Sequence, residues 1–392
     1  MVNDGHENAV SRKVWMISAG FYPDIGGGQI QVQRLSQKLI AKGLPITIIT
    51  RRHIRGYENL PSRDVVDRIP IIRLFSKGKG RIGSIFFFIT GLCHLIINGR
   101  GDTYYAHGVG TPAWIAIIAR YLLGGRCLLK LRAGVYVYER NYAKGFAGFQ
   151  FRSSLQLADR IFVVNRELEF WLQNQGVQCD RIIYTPNSVD VEQFRPAPFG
   201  EKDLLRKHLN LPTKRVLVLF VGRLSYYKGV DILFNAWSNL PEKIRNTSAL
   251  IIVGDGDDRQ NLDQLIKDLN IGGSVYMMGM QNNTRDYYWA SDIFVLPSRT
   301  EGLSNAQIEA MACDLPCIVS SEGGSIDPIE DGKNGLIFSN EDHVHLSQQL
   351  AKLIRSKPYL KDMGHNARGW VIENANISIT NELIRKIIFD LI

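Results

Sequence analysis

Residues 295–338 read VLPSRTEGLSNAQIEAMACDLPCIVSSEGGSIDPIEDGKNGLIF. Val295-Leu296-Pro297 has the character of a buried strand end, and residues 298–302 read as a loop. Ser304 with Gln307 three residues on is the S-x-x-Q arrangement that satisfies orphan amides, so it predicts a helix starting near Ser304. Leu315-Pro316-Cys317-Ile318-Val319 predicts the next strand, and Gly323-Gly324 opens a turn into a second short helix. Two carboxylates frame the first loop, with Glu301 before the helix and Glu309 inside it. A helix N-terminus has free N–H groups and a partial positive charge, which suits a phosphate. A carboxylate a turn and a half into the same helix can face the same cleft and accept hydrogen bonds from sugar hydroxyls.

Glu301-Gly302-Leu303, Glu309-Ala310-Met311-Ala312, Pro316, Gly323-Gly324 and Asp331-Gly332-Lys333-Asn334-Gly335 together resemble the family 4 retaining glycosyltransferases. The resemblance implies the GT-B fold, in which two Rossmann-like, doubly wound parallel-sheet domains face a cleft. It implies that Glu301 touches a donor sugar and Glu309 holds a nucleotide ribose. The amides of Gly302, Leu303, Ser304 and Asn305 are then expected to hold a diphosphate. One departure falls after Gly323-Gly324, where the family often has Glu and this chain has Asp327.

Working outward, Val216-Leu217-Val218-Leu219-Phe220-Val221 is a fully apolar strand, as in a parallel sheet covered on both faces. It runs into Gly222-Arg223-Leu224-Ser225-Tyr226-Tyr227-Lys228-Gly229, which resembles the family's G-R-L-x-x-x-K-G motif. The resemblance points Arg223 and Lys228 at the diphosphate. A departing nucleoside diphosphate gains negative charge as the glycosidic bond breaks, and fixed cations stabilise it. The strand 275–280 ends in Met280, where the family usually meets the nucleotide base. Asp255 and Asp257 form a D-x-D, but they follow a strand inside the second domain where the family has a G-x-G turn. They do not read as a metal site, and no other cluster has metal-ligand spacing. No cofactor and no metal are expected.

The first half repeats the strand, Gly-rich loop, helix, strand pattern of a nucleotide-type unit. Val14-Trp15-Met16-Ile17-Ser18 is a strand, and an amphipathic helix is expected from about Gln29 to Lys42. The loop between them, 21–28, resembles the P-x-x-G-G loop of the same family, which places Gly27 and Gly28 near the donor phosphates and the acceptor. Residues 51–81 read as a basic loop. The family usually has a histidine at the reaction centre just after the strand 127–132, and here the stretch is Arg132-Ala133-Gly134. His107 ends the preceding strand, where it reads as a satisfied structural histidine or as an acceptor contact. Residues 186–190 resemble the family's P-N-G-V-D, with Ser188 in place of Gly.

The chain has 392 residues, too many for one ordinary core, and 45% hydrophobic with 22% charged residues is the balance of a folded protein. The expected domains are 1–195, joined by a C-terminal helix over about 376–392, and 196–375. Residues 1–200 hold 26 Lys and Arg against 14 Asp and Glu, a surplus of 12, while residues 201–392 are acidic by 3. The basic half suits an anionic lipid surface or glycan, with nucleic acid ranked last because no aromatic-basic motif is present. The apolar run 82–97, beside Lys77, Lys79 and Arg81, is short of the ~20 residues of a membrane span. It is either a buried helix or one that dips into a lipid interface. The five cysteines form no C-x-x-C pair and fit a reducing compartment. The N-terminus has no apolar signal region, so the expected location is cytoplasmic, with peripheral contact at the inner membrane face.

The expected activity is transfer of a hexose, with retention, from a UDP- or GDP-sugar to a hydroxyl of a lipid-linked or growing glycan in cell-surface polysaccharide synthesis. A nucleotide-sugar epimerase or a non-catalytic nucleotide-sugar-binding protein on the same fold remains as the alternative.

Overall fold

The computed structural model describes residues 13–24, 26–53, 57, 60–78, 80–142 and 144–390. Ile25 of the Gly-rich loop and Lys79 beside the apolar run lie outside the described residues. Eight strands form a first sheet: β1 (Val14–Ile17), β2 (Ile46–Arg51), β3 (Arg63–Val66), β4 (Ile69–Leu74), β5 (Thr103–His107), β6 (Arg126–Lys130), β7 (Arg160–Val163) and β8 (Ile182–Tyr184). Their order is β3-β4-β2-β1-β5-β6-β7-β8, parallel except for the β3/β4 hairpin. Six form a second, all-parallel sheet: β9 (Val216–Val221), β10 (Ser248–Val253), β11 (Val275–Gly279), β12 (Ile293–Leu296), β13 (Cys317–Ser320) and β14 (Gly335–Phe338). Their order is β11-β10-β9-β12-β13-β14.

Both sheets are therefore doubly wound. The chain reverses its direction of progress between β1 and β5 in the first sheet and between β9 and β12 in the second. In open α/β sheets a crevice opens outside the carboxyl ends of the strands at such a reversal. β9 is buried at every position, as its unbroken apolar run requires when helices cover both faces.

The β3/β4 hairpin corrects the reading of 51–81 as loop. Its turn residues, Asp67 and Arg68, both have positive φ (50° and 66°). Asn-Gly or Asp-Gly is the usual signal for such a turn, and Asp-Arg gave none. The run 82–97 forms the helix Arg81–Asn98, which is only partly buried. Only Gly83, Phe87, Gly91 and Leu95 are buried. A Cβ at Gly91 would stand 2.8 Å from Ile115 Cδ1 on the helix Thr111–Leu123, so the two helices approach closely at this glycine. The large apolar side chains point outward: Ile82, Ile85, Phe86, Ile89, Ile96 and Ile97 are exposed, the last by 80%.

The last helix, Ile377–Asp390, returns to the first sheet. Ile384 and Ile388 join the cluster that contains Val14, Met16, Tyr105 and Phe162. The return is pinned by backbone bonds from Val189 N to Ala375 O and from Ile377 N to Val189 O, both 2.9 Å.

Candidate active site

Four loops leave the carboxyl ends of the strands at the two reversals. From the second sheet come residues 222–229 after β9 and 297–304 after β12. β9 and β12 are neighbours, so these loops touch. Arg299 N donates to Tyr227 O at 2.9 Å, and the Lys228 ammonium bonds the Glu301 carboxylate. Ser298 Oγ lies 3.5 Å from the same carboxylate. Arg223 is exposed, and no described residue bonds it. Gly222 is half-buried, and Met280, just past β11, is 79% exposed.

The helix after the β12 loop runs Asn305–Ala312 with Ser304 as its N-cap residue, but the Ser304 side chain makes no capping bond. The expected reciprocal cap does not form. Gln307 Nε2 instead donates to Ser325 O at 2.8 Å, because the side chain is drawn into the buried turn at Gly323–Ser325. The consequence is chemical. Gly302, Leu303 and Ser304 are buried, yet the amide N–H groups of residues 302–305 have no acceptor among the described residues. Buried amides are nearly always paired, so a row of free ones at a helix start is an anion-binding arrangement.

The first sheet clamps this loop from the other side. Asn165 Nδ2 donates to Gly302 O at 2.6 Å and Asn187 Nδ2 to Leu303 O at 2.7 Å. Asn305 donates to Gly27 O at 3.0 Å and accepts from Gln31 Nε2 at 2.9 Å. Glu309 is buried; it accepts from Arg34 at 2.8 Å and from the Tyr288 hydroxyl at 3.1 Å. Asp327 accepts the backbone N–H of Arg166 at 2.7 Å, so it ties the second domain to a helix start in the first. Burial raises the Asp327 pKa above the usual carboxylate range. A Cβ on Gly302 would stand 2.1 Å from Arg132 O, and one on Gly324 1.6 Å from Gly302 O. Only glycine permits these three backbones to stack.

Arg132, which stands near the position of the absent histidine, lies at the centre of the cleft. A Cβ on Gly28 would be 2.3 Å from its NH1. Gly28 therefore roofs this guanidinium, which is half-buried, while Gly27 stands against the Asn305 side chain. His107 ends β5 with its ring 4.3 Å from that of Tyr105. It is buried and its Nε2 has no partner, so it is not the satisfied histidine that a structural role requires. Burial, with Arg132 and Lys130 nearby, holds it neutral well below its usual pKa. Sequence reading passed over Arg34, Gln31, Lys130, Asn165 and Asn187 as site residues. Gln31 and Arg34 share the helix Gly27–Ala41, and the other three sit on separate elements, so no local pattern joins them.

Two facing doubly wound sheets with their reversals turned to one cleft define the GT-B class. The similarities to known proteins agree. Residues 201–370 match the family described as Glycosyl transferases group 1, and residues 25–193 match Glycosyltransferase Family 4. The chain belongs to the family 4 glycosyltransferases. It is 26% identical over 374 residues to a D-inositol 3-phosphate glycosyltransferase of Xylanimonas cellulosilytica, covering 88% of this chain and 86% of that protein. It is 29% identical over 230 residues, 58% of this chain and 59% of the relative, to the Escherichia coli UDP-Gal:alpha-D-GlcNAc-diphosphoundecaprenol alpha-1,3-galactosyltransferase. The sucrose-phosphate synthase of Thermosynechococcus elongatus superimposes with a TM-score of 0.84 at 21% identity, over 97% of this chain and 99% of that one.

Proposed function

We propose that this glycosyltransferase moves a hexose, with retention and without a metal, from a UDP- or GDP-sugar to a hydroxyl of a lipid-linked or growing glycan at the inner face of the cytoplasmic membrane. The observation that carries the donor assignment is the row of unpartnered amides at 302–305 beside Arg223 and Lys228. That set suits a diphosphate and nothing neutral. Without substrate, Lys228 and Glu301 satisfy each other. A bound donor separates them: the diphosphate takes Lys228 and the sugar hydroxyls take Glu301. Glu309 receives the ribose and exposed Met280 meets the base.

As the glycosidic bond breaks, charge grows on the leaving phosphate, and Arg223, Lys228 and the loop amides stabilise it. The leaving phosphate oxygen accepts the proton of the attacking hydroxyl on the same face, which gives retention. No second carboxylate is needed as a nucleophile, unlike the glycosidase scheme. The galactosyltransferase relative, named for a UDP-sugar and a diphosphate-linked lipid acceptor, supports the choice of partners.

The membrane assignment rests on the helix Arg81–Asn98. Among the described residues it is the one helix long and apolar enough to span a bilayer, with a mean hydropathy of 1.5, yet 22% of that stretch is buried. An exposed isoleucine face next to Lys77 and Arg81, on a half with a surplus of 12 basic residues, complements an anionic lipid interface.

A panel of nucleotide sugars, with released UDP or GDP measured in EDTA and the anomer of the product assigned by NMR, tests the reading. One donor should be consumed with retention. Turnover of none of them, with a suitable lipid-linked acceptor supplied, would overturn it.

A further inference from the structure

Arg132 stands at the centre of the cleft and takes no part in the transfer described above. Its backbone is anchored. Its N–H donates to the Tyr138 hydroxyl at 2.9 Å, and its carbonyl packs on Gly302, where a Cβ would be 2.1 Å away. Its side chain is not anchored. No described residue makes a hydrogen bond or an ion pair with the guanidinium. NH1 is buried against the Gly28 backbone, but the residue is only half-buried, so the other edge of the fork faces the cleft. Burial opposes its charge, and the groups that favour that charge are the hydroxyls of Tyr138 and Tyr105. No carboxylate balances it.

The surroundings add positive potential. Gly28 lies on the guanidinium, and a Cβ on the neighbouring Gly27 would be 3.3 Å from Asn305 Nδ2. Arg132 therefore lies near the starts of two helices, Gly27–Ala41 and Asn305–Ala312, and neither has a side-chain cap. A helix start carries partial positive charge, and a half-buried cation beside two of them calls for an anion. The free amides of 302–305 begin at the glycine that touches Arg132's own carbonyl. We infer that Arg132 is a third cation of the diphosphate site, meeting the terminal phosphate from the first domain. The inference rests on the donor reading above and extends it across the cleft. When the bond from the sugar carbon to the phosphate oxygen breaks, its electron pair stays on that oxygen. The diphosphate goes from about two negative charges to about three, because a terminal phosphate has its second pKa near 6. Arg223 and Lys228 match the charge of the bound donor, and Arg132 matches the charge that appears. Its planar fork can hold two oxygens of one phosphate, and it stays charged at every working pH. A histidine, which the resembled family usually has near this place, would not.

The test is calorimetric titration of the full chain with UDP and UMP, and with GDP and GMP. The parent should bind one of the diphosphates, and more tightly than its monophosphate. Arg132→Gln should weaken that diphosphate by about tenfold or more, the loss expected for a hydrogen bond to a charged group, and leave the monophosphate nearly unchanged. Arg132→Lys should recover part of the loss, since it returns the charge without the fork. Stability of unliganded Arg132→Gln in urea should not fall, because the side chain has no bond to lose, and this separates weaker binding from a folding defect. Equal diphosphate affinity in the parent and Arg132→Gln, or an equal loss for diphosphate and monophosphate, would overturn the role of Arg132 and leave the donor reading standing. A parent that binds neither UDP nor GDP would overturn both.

Discussion

At the carboxyl ends of β9 and β12 the charged groups stand near solvent: Arg223 is exposed, and Lys228 pairs with Glu301. At the ends of β5 and β6 they are sunk: Lys130 and His107 are at most 8% exposed. The two reversals share a topology and use it in opposite ways. A group that must grasp and release a large nucleotide gains from surface cations and free amides, whose hydration is easily exchanged. A buried cation without a counter-ion is costly, and it persists only where the fold forces it or a ligand compensates it. The difference teaches that one side of the cleft keeps its charge exchangeable with solvent while the other holds it in the interior.

The largest expected effect lies where the two sides meet. Gly324→Ala puts a Cβ 1.6 Å from Gly302 O and 2.7 Å from Asn165 Cβ. It should cost about 3 kcal/mol by urea unfolding. A cost below ~1 kcal/mol would mean that the loops have room, and the contrast between a clamped and an open side would fail.

Next comes Glu309, held by Arg34 of the first domain and Tyr288 of the second. Glu309→Gln should lower nucleoside diphosphate affinity about tenfold through weaker acceptance from the ribose. Unchanged affinity would leave Glu309 as an interdomain tie alone.

A smaller effect concerns pH. Between pH ~7 and ~10 the unfolded chain carries a protonated Lys130 that the folded chain, with its pKa held down to about 7, has released. The unfolded state then binds more protons, so stability rises with pH across that window, while the full penalty of the buried ammonium is felt below it. Lys130→Met should flatten this rise. A parallel pair of stability curves would show that Lys130 is hydrated, and the buried side of the comparison would weaken. The smallest effect is expected outside the cleft. Ile85→Asp should reduce binding to anionic vesicles about fivefold at low salt, as expected for a partly inserted side chain. No binding by the parent protein at low salt would remove the lipid interface from the account.

How far the sequence could be read follows the same division. The second-domain site is local, with Gly222, Arg223 and Lys228 in one loop and Glu301 to Glu309 in another. Short motifs carry such a site, and the apolar run of β9 marks the sheet that aligns them. The first-domain side of the cleft brings together Tyr105 and His107 from one strand, Lys130 and Arg132 from the end of another, and Asn381 from a helix nearly 250 residues further on. No spacing rule joins them. The Ser304/Gln307 cap failed for a related reason. A helix-start pattern describes local bonding, and the tertiary turn at Gly323–Ser325 offered Gln307 a better-placed carbonyl. The apolar run 82–97 could be recognised as a helix, but its inward face depends on Gly91, which fits against Ile115, and on Gly83, which fits against the backbone of Ser76 and Gly78.

The cations beside the free amides are the centre of the proposed mechanism. Once the donor is known, Arg223→Ala and Lys228→Ala should each lower kcat by ~10²–10³, the usual loss for one preorganised electrostatic donor, with a smaller change in donor affinity. Thermal stability without ligand should hardly move, since Arg223 is exposed and the Lys228–Glu301 pair is partly solvated. Folded variants that turn over at the parental rate would contradict the claim that these residues stabilise a departing diphosphate.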